Sequence, residues 1–293
     1  FMGGGGGPAG WGGAIAVVPY EMYKIYGDKE TFRRYLPKIL RYFDYLDSRS
    51  SGGLVCREEE GGWCLGDWCP PEQITICEPF VNTVLYVKQM MMTKEASEAI
   101  GESETAAMLE KRIEEKKQAI LNAYYSPQTG SFIGDAQGAN SFAVDIGLGG
   151  ERAFNNTKKK YDAADAFDTG IFGTDILTRV LFERGCADTA FRLLTSTGKG
   201  SFYNMKKQGA TTIWENWDGE RSHSHPMFGA VTRYLFSFIL GITQEKNSAG
   251  YEKIVIAPQI PDGLNRASGH ITTVRGEIAV SFIRTEREMD FYV

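Results

Sequence analysis

The strongest constraint on the fold is a series of long segments in which apolar residues recur at helical spacing. In residues 31–46 the stripe consists of Tyr35, Ile39, Tyr42, Phe43 and Leu46. Segments of this kind predict helices at 14–26, 31–46, 80–100, 104–124, 142–148, 174–184, 187–196 and 226–240. Because the loops between them are rich in Gly, Asp, Asn and Thr, we predict a mainly α-helical chain whose helices meet in antiparallel pairs.

The periodicity changes after Gly241. Segments 251–257 and 271–282 alternate apolar with polar residues around prolines and the turn Arg275-Gly276, which indicates β-strands. Residues 289–293 are typical of a further strand. We therefore predict two domains, a helical one over residues 1–243 and the start of a β domain over residues 244–293.

Composition excludes several classes of function. The chain is 42% hydrophobic and 24% charged, which is typical of a globular protein, and no apolar run approaches the roughly 18 residues that span a bilayer. A net charge of -5 argues against a non-specific nucleic-acid binder, because such a protein needs a surplus of Lys and Arg to neutralise phosphates. We predict no membrane or nucleic-acid partner.

Cysteine and histidine placement does not indicate a metal centre. The first four cysteines lie too far apart for paired zinc ligands, and all three histidines come late in the chain. We predict no metal and no cofactor. The cysteines are interpreted as mostly buried thiols, with a disulfide among the first four as the alternative.

Tryptophan distribution is the most informative pattern for function. All five tryptophans fall in three Gly-rich loops, namely Trp11, then Trp63 and Trp68, then Trp214 and Trp217. Indole rings beside carboxylates suit stacking on the apolar face of a sugar while the carboxylates take its hydroxyls. The alternative is that the rings fill the ends of a helical domain.

Glu215 is the sharpest catalytic candidate. Tryptophans flank it, so a partly desolvated carboxylate suited to acid/base work is expected there, and the alternative is a solvated loop glutamate. With Asp67 as a second carboxylate, the pair fits glycoside hydrolysis. His225 would bind a sugar hydroxyl or a catalytic carboxylate, or would be a helix-start histidine bonded to backbone. We predict that His223 and His270 are surface residues.

Four motifs, in order, resemble those of the bacterial α-L-rhamnosidases of glycoside hydrolase family seventy-eight. They are Gly10-Trp11-Gly12, Gly66-Asp67-Trp68, the stretch from Gly209 through Ala210-Thr211-Thr212-Ile213-Trp214-Glu215 to Asp218, and His225 to Ala230. The resemblance implies that residues 1 to about 243 form the later part of an (α/α)6 six-hairpin barrel. The remaining residues would begin a C-terminal antiparallel β-sandwich.

The resemblance also implies an activity, which is exo-cleavage of terminal α-linked L-rhamnose with inversion from a rhamnosylated glycan or glycoside. Glu215 matches the general base, while Trp11, Trp68 and His225 match residues that line the rhamnose subsite, and Asp67 belongs to the same pocket. We add Trp63, Trp214 and Trp217 to the substrate-binding candidates from local composition. The family's general acid lies upstream of the Gly-Trp-Gly motif, so we expect this stretch of chain alone to be inactive.

Two other functions are kept as alternatives. One is another inverting α/α-barrel glycosidase with a different sugar preference, because fold does not fix the substrate. The other is a non-catalytic carbohydrate-binding protein. The sequence leaves the aglycone and the oligomeric state open, and a periplasmic or secreted location is favoured over a cytoplasmic one.

Overall fold

The structure is a computed structural model that describes residues 9–57 and 65–293. Its backbone divides into two compact units. Of the described residues, the first unit comprises 9–23, 28–57, 65–68 and 73–157, and the second comprises Lys24–Gly27, Cys69–Glu72 and Lys158–Val293. Each unit is described by itself below.

Helical hairpins build the first unit. A short 3-10 turn at Trp11–Gly13 leads into the first helix. The helices are α1 (Ala14–Tyr26), α2 (Lys29–Ser48), α3 (Glu78–Ile100), α4 (Ser103–Tyr124), α5 (Ala139–Asp145) and α6 (Gly150–Asp162), of which α1 and α6 end in the second unit. Two small antiparallel hairpins, β1 (Ser50–Ser51) with β2 (Leu54–Val55) and β3 (Tyr125–Ser126) with β4 (Ser131–Phe132), lie in the loops.

Helix α3 forms the centre of this unit, because its buried residues lie all around its axis. Phe80 packs against the rings of Tyr124, Phe132 and Phe142 at centroid distances of 5.3, 6.1 and 6.3 Å. The helix ends at Gly101, whose φ of +87° is a conformation that glycine adopts without steric cost. The next helix therefore turns back along α3.

The second unit contains three regular helices and one irregular helical segment. They are α7 (Ile171–Glu183), α8 (Ala187–Leu194), α9 (Phe202–Lys207) and a continuous segment that is a 3-10 helix over Pro226–Val231, an α-helix over Thr232–Tyr234 and a π-helix over Leu235–Ile239. The strands are β5 (Ile242–Gln244) paired with β6 (Ile254–Ile256), and an antiparallel sheet β7 (Arg266–Thr273), β8 (Gly276–Arg284) and β9 (Met289–Tyr292).

Most of the secondary structure agrees with the sequence analysis. The mainly helical fold with antiparallel strands near the C-terminal end is confirmed, and α1 has the predicted bounds. Helices α6 and α9 are not among the sequence predictions. The division at residue 243 stays a prediction. Among the described helices, none is both long enough and apolar enough to cross a membrane.

The interpretation of the cysteines as mostly buried is wrong for the four that the structure describes. Cys56 is exposed, while Cys69, Cys77 and Cys186 are half-buried, and none of these four described cysteines forms a disulfide. They lie in loops or at the N-terminal caps of helices, where the chain runs close to the surface.

Candidate active site

Glu215 lies in a loop that joins α9 to the irregular helical segment, and this loop folds back on itself. The Glu215 N–H donates to the Ser222 carbonyl at 2.9 Å, and the His225 N–H donates to the Ile213 carbonyl at 2.8 Å. A third bond joins the same two segments, from the Thr212 hydroxyl to the His223 carbonyl. These three bonds hold segments 212–215 and 222–225 side by side, so Glu215 has a fixed backbone position.

The tip of this loop depends on one glycine. Gly219 has a φ of +79°, and a Cβ at this position would overlap the indole ring of Trp214. The imidazole of His223 stacks on the same indole at 4.5 Å between centroids, and its Nε2 lies 2.7 Å from the Gly219 carbonyl. Trp214 is thus sandwiched within the loop.

Trp217 anchors the loop to the interior of the second unit. Its indole Nε1–H donates to the Thr169 carbonyl at 3.0 Å, and the ring is 1% exposed. Phe167 stacks on the ring at 5.9 Å between centroids, and Phe228 contacts it at 4.1 Å. The loop that carries Glu215 is therefore attached to a closed aromatic cluster.

The Glu215 carboxylate is partly buried and lies next to a histidine. Its side chain is 17% exposed, and Oε2 accepts a hydrogen bond from the Ser222 N–H at 3.3 Å. The His225 Nδ1 lies 3.9 Å from the same Oε2, which is too far for a hydrogen bond but close enough for attraction when the imidazole is protonated. A carboxylate that is largely shielded yet reachable by water can accept a proton from it.

An ion pair fixes the helical segment that follows His225. Arg233 donates through Nη2 to both carboxylate oxygens of Asp175 on α7, at 2.7 and 3.0 Å, and the Tyr234 hydroxyl donates to Oδ1 at 2.9 Å. Burial and the neighbouring Asp175 carboxylate raise the pKa of Tyr234 above its ordinary value, so the phenol stays a neutral donor.

A mainly apolar cavity of about 720 Å³ borders the candidate loop within the second unit. Its walls include Thr212, Ile213, Ser224 and His225 from the loop, Phe191, Leu194 and Thr195 from α8 and its end, Phe202 from α9, and Pro226, Gly229, Val231, Thr232 and Leu235 from the irregular segment. None of the α8 residues is among the site candidates predicted from the sequence. The strong amphipathic pattern of that helix was the available signal, and it indicates packing as readily as binding.

The described candidates of the first unit lie in the 3-10 turn before α1 and in the loop before α3. Trp11 is half-buried in the 3-10 turn, and the Gln89 amide of α3 donates to the neighbouring Ala9 carbonyl at 2.8 Å. Asp67 is fully buried, and Trp68 is half-buried. The preceding Gly66 has a φ of +57° and lies against Glu78, so this loop is closely packed. Trp63 lies outside the described residues.

The structure gives the two tryptophans beside Glu215 a packing environment. Trp214 is 6% exposed and Trp217 is 1% exposed, and their ring faces contact aromatic neighbours of the same unit. Neither ring offers an open face for stacking on a sugar in this arrangement. Asp67 and Trp68 lie in the first unit, whereas Glu215 and His225 are brought together in the second.

The other two histidines are exposed, as predicted. His225 begins the 3-10 helix with a backbone hydrogen bond to the Ile213 carbonyl, while its side chain makes no capping bond to the helix. His225 therefore stands at a helix start, but among the described contacts its side chain makes no hydrogen bond to backbone of the kind that the alternative expects.

Paired helices followed by antiparallel strands define a mainly helical, helical-hairpin class of fold. Solved structures share this fold. An alpha-L-rhamnosidase from Dictyoglumus thermophilum matches with a TM-score of 0.86 and 21% identity, over 98% of this chain and 33% of that chain. The Streptomyces avermitilis alpha-L-rhamnosidase complexed with L-rhamnose matches with a TM-score of 0.83 and 24% identity, over 96% of this chain and 28% of that chain.

The model of the bacterial alpha-L-rhamnosidase six-hairpin glycosidase domain matches residues 2–239, and that of the bacterial alpha-L-rhamnosidase C-terminal domain matches residues 241–293. The chain therefore belongs to the bacterial alpha-L-rhamnosidase family. An alpha-L-rhamnosidase from Alteromonas sp. (strain LOR) is 25% identical over 97% of this chain. The chain spans 33%, 30% and 26% of the length of three curated relatives.

Proposed function

We propose that the protein containing this chain is an exo-acting glycoside hydrolase that releases terminal α-linked L-rhamnose with inversion at the anomeric carbon. Membership of the alpha-L-rhamnosidase family supports the sugar and the reaction class. The observation that carries the proposal is the position of Glu215, a partly buried carboxylate held by its own loop beside His225.

Glu215 is proposed as the general base. An inverting hydrolase needs a carboxylate that removes a proton from water while the water attacks the sugar. Glu215 is 17% exposed, so water reaches its oxygens while most of the side chain is shielded from bulk solvent. The hydrogen bond from Ser222 to Oε2 orients the carboxylate without occupying all of its lone pairs.

His225 is proposed to assist in the same site. Its Nδ1 faces Glu215 at 3.9 Å, and its Nε2 is buried without a hydrogen-bond partner among the described residues. A buried unpaired nitrogen is costly, and a sugar hydroxyl would satisfy it. We therefore assign His225 to substrate binding.

Trp11, Asp67 and Trp68 are also proposed to bind the sugar. Their support is the match of their motifs to the family, together with the partial exposure of the two indole rings. Trp214 and Trp217 support the Glu215 loop from its packed side. The general acid is expected upstream of Trp11, and a periplasmic or secreted location stays a prediction.

The decisive experiment replaces Glu215 by Gln in the complete protein. Glutamine preserves size and can accept the Ser222 hydrogen bond, but it does not act as a base. We expect kcat for an aryl α-L-rhamnoside to fall about 100-fold or more, with the unfolding midpoint unchanged. Glu220→Gln, an exposed carboxylate of the same loop, is the matched control and is expected to keep wild-type turnover.

Product analysis tests the stereochemistry. Proton NMR during early turnover should detect β-L-rhamnose before it mutarotates. Near-normal turnover in Glu215→Gln would remove Glu215 from the mechanism, and α-L-rhamnose as the first product would exclude inversion. Turnover of a different aryl glycoside in place of the rhamnoside would favour another barrel glycosidase. Saturable rhamnose binding without any product would favour a binding protein.

A further inference from the structure

Trp11 stands between glycines, so its own segment does little to fix its position. Gly10 precedes it, and Gly12 and Gly13 complete the short 3-10 turn, which no side chain caps at its start. Glycine has more conformational freedom than any other residue, so three glycines around one indole give the chain little stiffness here. The position of the Trp11 ring therefore depends on what the turn packs against.

Helix α3 provides part of that packing through the side chain of Gln89. This residue is 4% exposed, and Tyr86 and Met90 of the same helix are fully buried. A polar side chain in such a core is costly unless it is hydrogen-bonded. The Gln89 Nε2 donates to the carbonyl of Ala9, which lies 80 residues away in sequence and two residues before Trp11, at 2.8 Å. A buried amide of the central helix thus holds the segment that leads into the turn.

The same amide packs against the turn itself. A Cβ at Gly13 would overlap the Gln89 amide group, so the close approach requires a glycine at this position. Gly12 lies against Tyr42 of α2, and a Cβ there would be 2.9 Å from the hydroxyl oxygen. Burial raises the pKa of Tyr42 above its ordinary value, so this hydroxyl stays protonated. The two glycines that follow Trp11 therefore fit against side chains from two different helices.

We propose that Gln89 is a positioning residue, which holds the Trp11 indole in place for the sugar through the turn that carries it. The inference rests on the proposed function, because it takes Trp11 to be a sugar-binding residue. A ring that is already in place when the sugar arrives loses less conformational freedom on binding than a mobile ring, and this tightens binding. Gln89 acts through the turn and is not assigned a contact with the sugar.

Methionine in place of Gln89 separates positioning from packing. It has a similar length and suits a buried core, but it has no donor for the carbonyl of the fully buried Ala9. In the complete protein we expect Gln89→Met to raise KM for an aryl α-L-rhamnoside about fivefold or more, with kcat within about twofold of the parent. The reason is that a ring contact made equally with bound substrate and transition state affects binding alone.

Thr93→Val is the matched control. Thr93 is fully buried one turn further along α3, where its hydroxyl donates to the backbone carbonyl of Gln89 at 2.8 Å. The variant removes a buried side-chain hydrogen bond from the same helix and leaves the Gln89 amide in place. It should keep the KM of the parent, whatever its effect on the unfolding midpoint.

Gly13→Ala tests the same contact from the side of the turn, and it keeps the experiment decisive if the methionine variant does not fold. The new methyl group would displace the Gln89 amide, so we expect KM to rise as in Gln89→Met. Because both variants break one contact, combining them should raise KM by less than the product of the two separate increases. An unchanged KM in Gly13→Ala overturns the proposal.

The remaining outcomes separate this proposal from the proposed function. An unchanged KM in Gln89→Met or in Trp11→Ala, or an equal rise in Thr93→Val, overturns the positioning role. If the parent does not hydrolyse the rhamnoside, the proposed function fails, and the dissociation constants for L-rhamnose are compared by calorimetry. Weaker rhamnose binding in Gln89→Met would then support the positioning of Trp11, whereas equal binding, or no binding by the parent, overturns it.

Discussion

The indole of Trp217 donates its N–H to the carbonyl oxygen of Thr169, which has no exposed surface, at 3.0 Å. Through this bond the loop that carries Glu215 is tied to the segment that leads into α7. The bond is buried, and a buried carbonyl that loses its donor retains its full desolvation penalty with no hydrogen bond to offset it. The position of Glu215 thus depends on an interior contact two residues away in sequence.

Trp217→Phe is expected to lower the free energy of unfolding by about 1–3 kcal/mol, since it keeps an aromatic ring but leaves the Thr169 carbonyl without its donor. Chemical denaturation measures the change. Phe202→Leu, which alters an edge contact to the same indole but no hydrogen bond, should cost less. Equal losses in the two variants would mean that packing, and not the hydrogen bond, holds the loop.

Gly219→Ala should both destabilise the protein and reduce turnover. The new methyl group would overlap the ring of Trp214 and would also occupy a left-handed backbone conformation, so the loop around Glu215 must shift. We expect a loss of more than about 1 kcal/mol in the free energy of unfolding.

Gly209→Ala is the matched control for that substitution. Gly209 has a φ of +94°, and a Cβ there would meet nothing within 4 Å, so it tests backbone strain without the clash. Turnover should fall in Gly219→Ala and be largely retained in Gly209→Ala. Similar turnover in both variants would contradict the role assigned to the Trp214 contact.

The Asp28 cap at the start of α2 should make the stability of the protein depend on pH in acid. The Thr31 hydroxyl and then the Thr31 N–H donate to the Asp28 carboxylate at 2.6 and 2.9 Å, and these bonds lower the pKa of Asp28. In the unfolded chain an Asp has a pKa of about 3.9. The stabilisation by the charged cap is therefore fully present above that pH, and it is lost as the pH falls through the lower pKa of Asp28 in the folded state.

Asp28→Asn provides the measurement. Asparagine caps a helix about as well as aspartate but does not titrate. The unfolding free energies of the two proteins should keep a constant difference above about pH 5, and the wild type should lose stability relative to the variant below about pH 4. Parallel curves down to pH 2 would show that the cap charge contributes nothing.

Gln137→Ala should destabilise the loop before α3. The Gln137 Oε1 accepts from the N–H groups of Thr75 and Ile76 at 2.8 and 3.2 Å, and its Nε2 donates to the Gln73 carbonyl at 3.1 Å. Removing the amide leaves these groups unpaired, at a cost of about 1–3 kcal/mol. Hydrogen exchange at Thr75 and Ile76 should accelerate.

Gln128→Ala is the control for Gln137, because this exposed side chain bonds only to the Ser126 hydroxyl among the described contacts. It should leave both stability and exchange unchanged. Unaltered exchange at Ile76 in Gln137→Ala would mean that the loop is held by other contacts.

Helix positions were predictable where a clear apolar stripe met a glycine boundary. Helix α1 begins after Gly13 and ends before Gly27, and the sequence places both ends correctly. Helix α6 was missed because its sequence is dominated by charged and amide residues, and only Ala153, Phe154 and Tyr161 are strongly apolar and buried. With so few apolar residues, the sequence pattern of α6 is difficult to distinguish from that of a solvated loop.

The site shows a different limit of sequence reasoning. The sequence identified Glu215 and His225 as candidates, and the structure brings them within 3.9 Å of each other. It also pointed to Trp214 and Trp217 as sugar-stacking rings, but both are nearly fully buried. Local composition indicates which residues lie in the loop, but it does not indicate which of their side chains are buried. Burial depends on residues that are distant in sequence, such as Phe167 and Phe228, which contact Trp217.

The segment after His225 winds in three ways within fourteen residues, and each kind of turn advances a different distance per residue. Six residues of 3-10 helix over Pro226–Val231 cover about 12 Å, for which an α-helix would need about eight residues. The rise per residue in each part of the segment therefore sets the distance between His225 and strand β5, which follows the segment. We expect a deletion in this segment to be accommodated by a change of helix type in one of its three parts. The structure of a relative with a shorter segment would show which part changes.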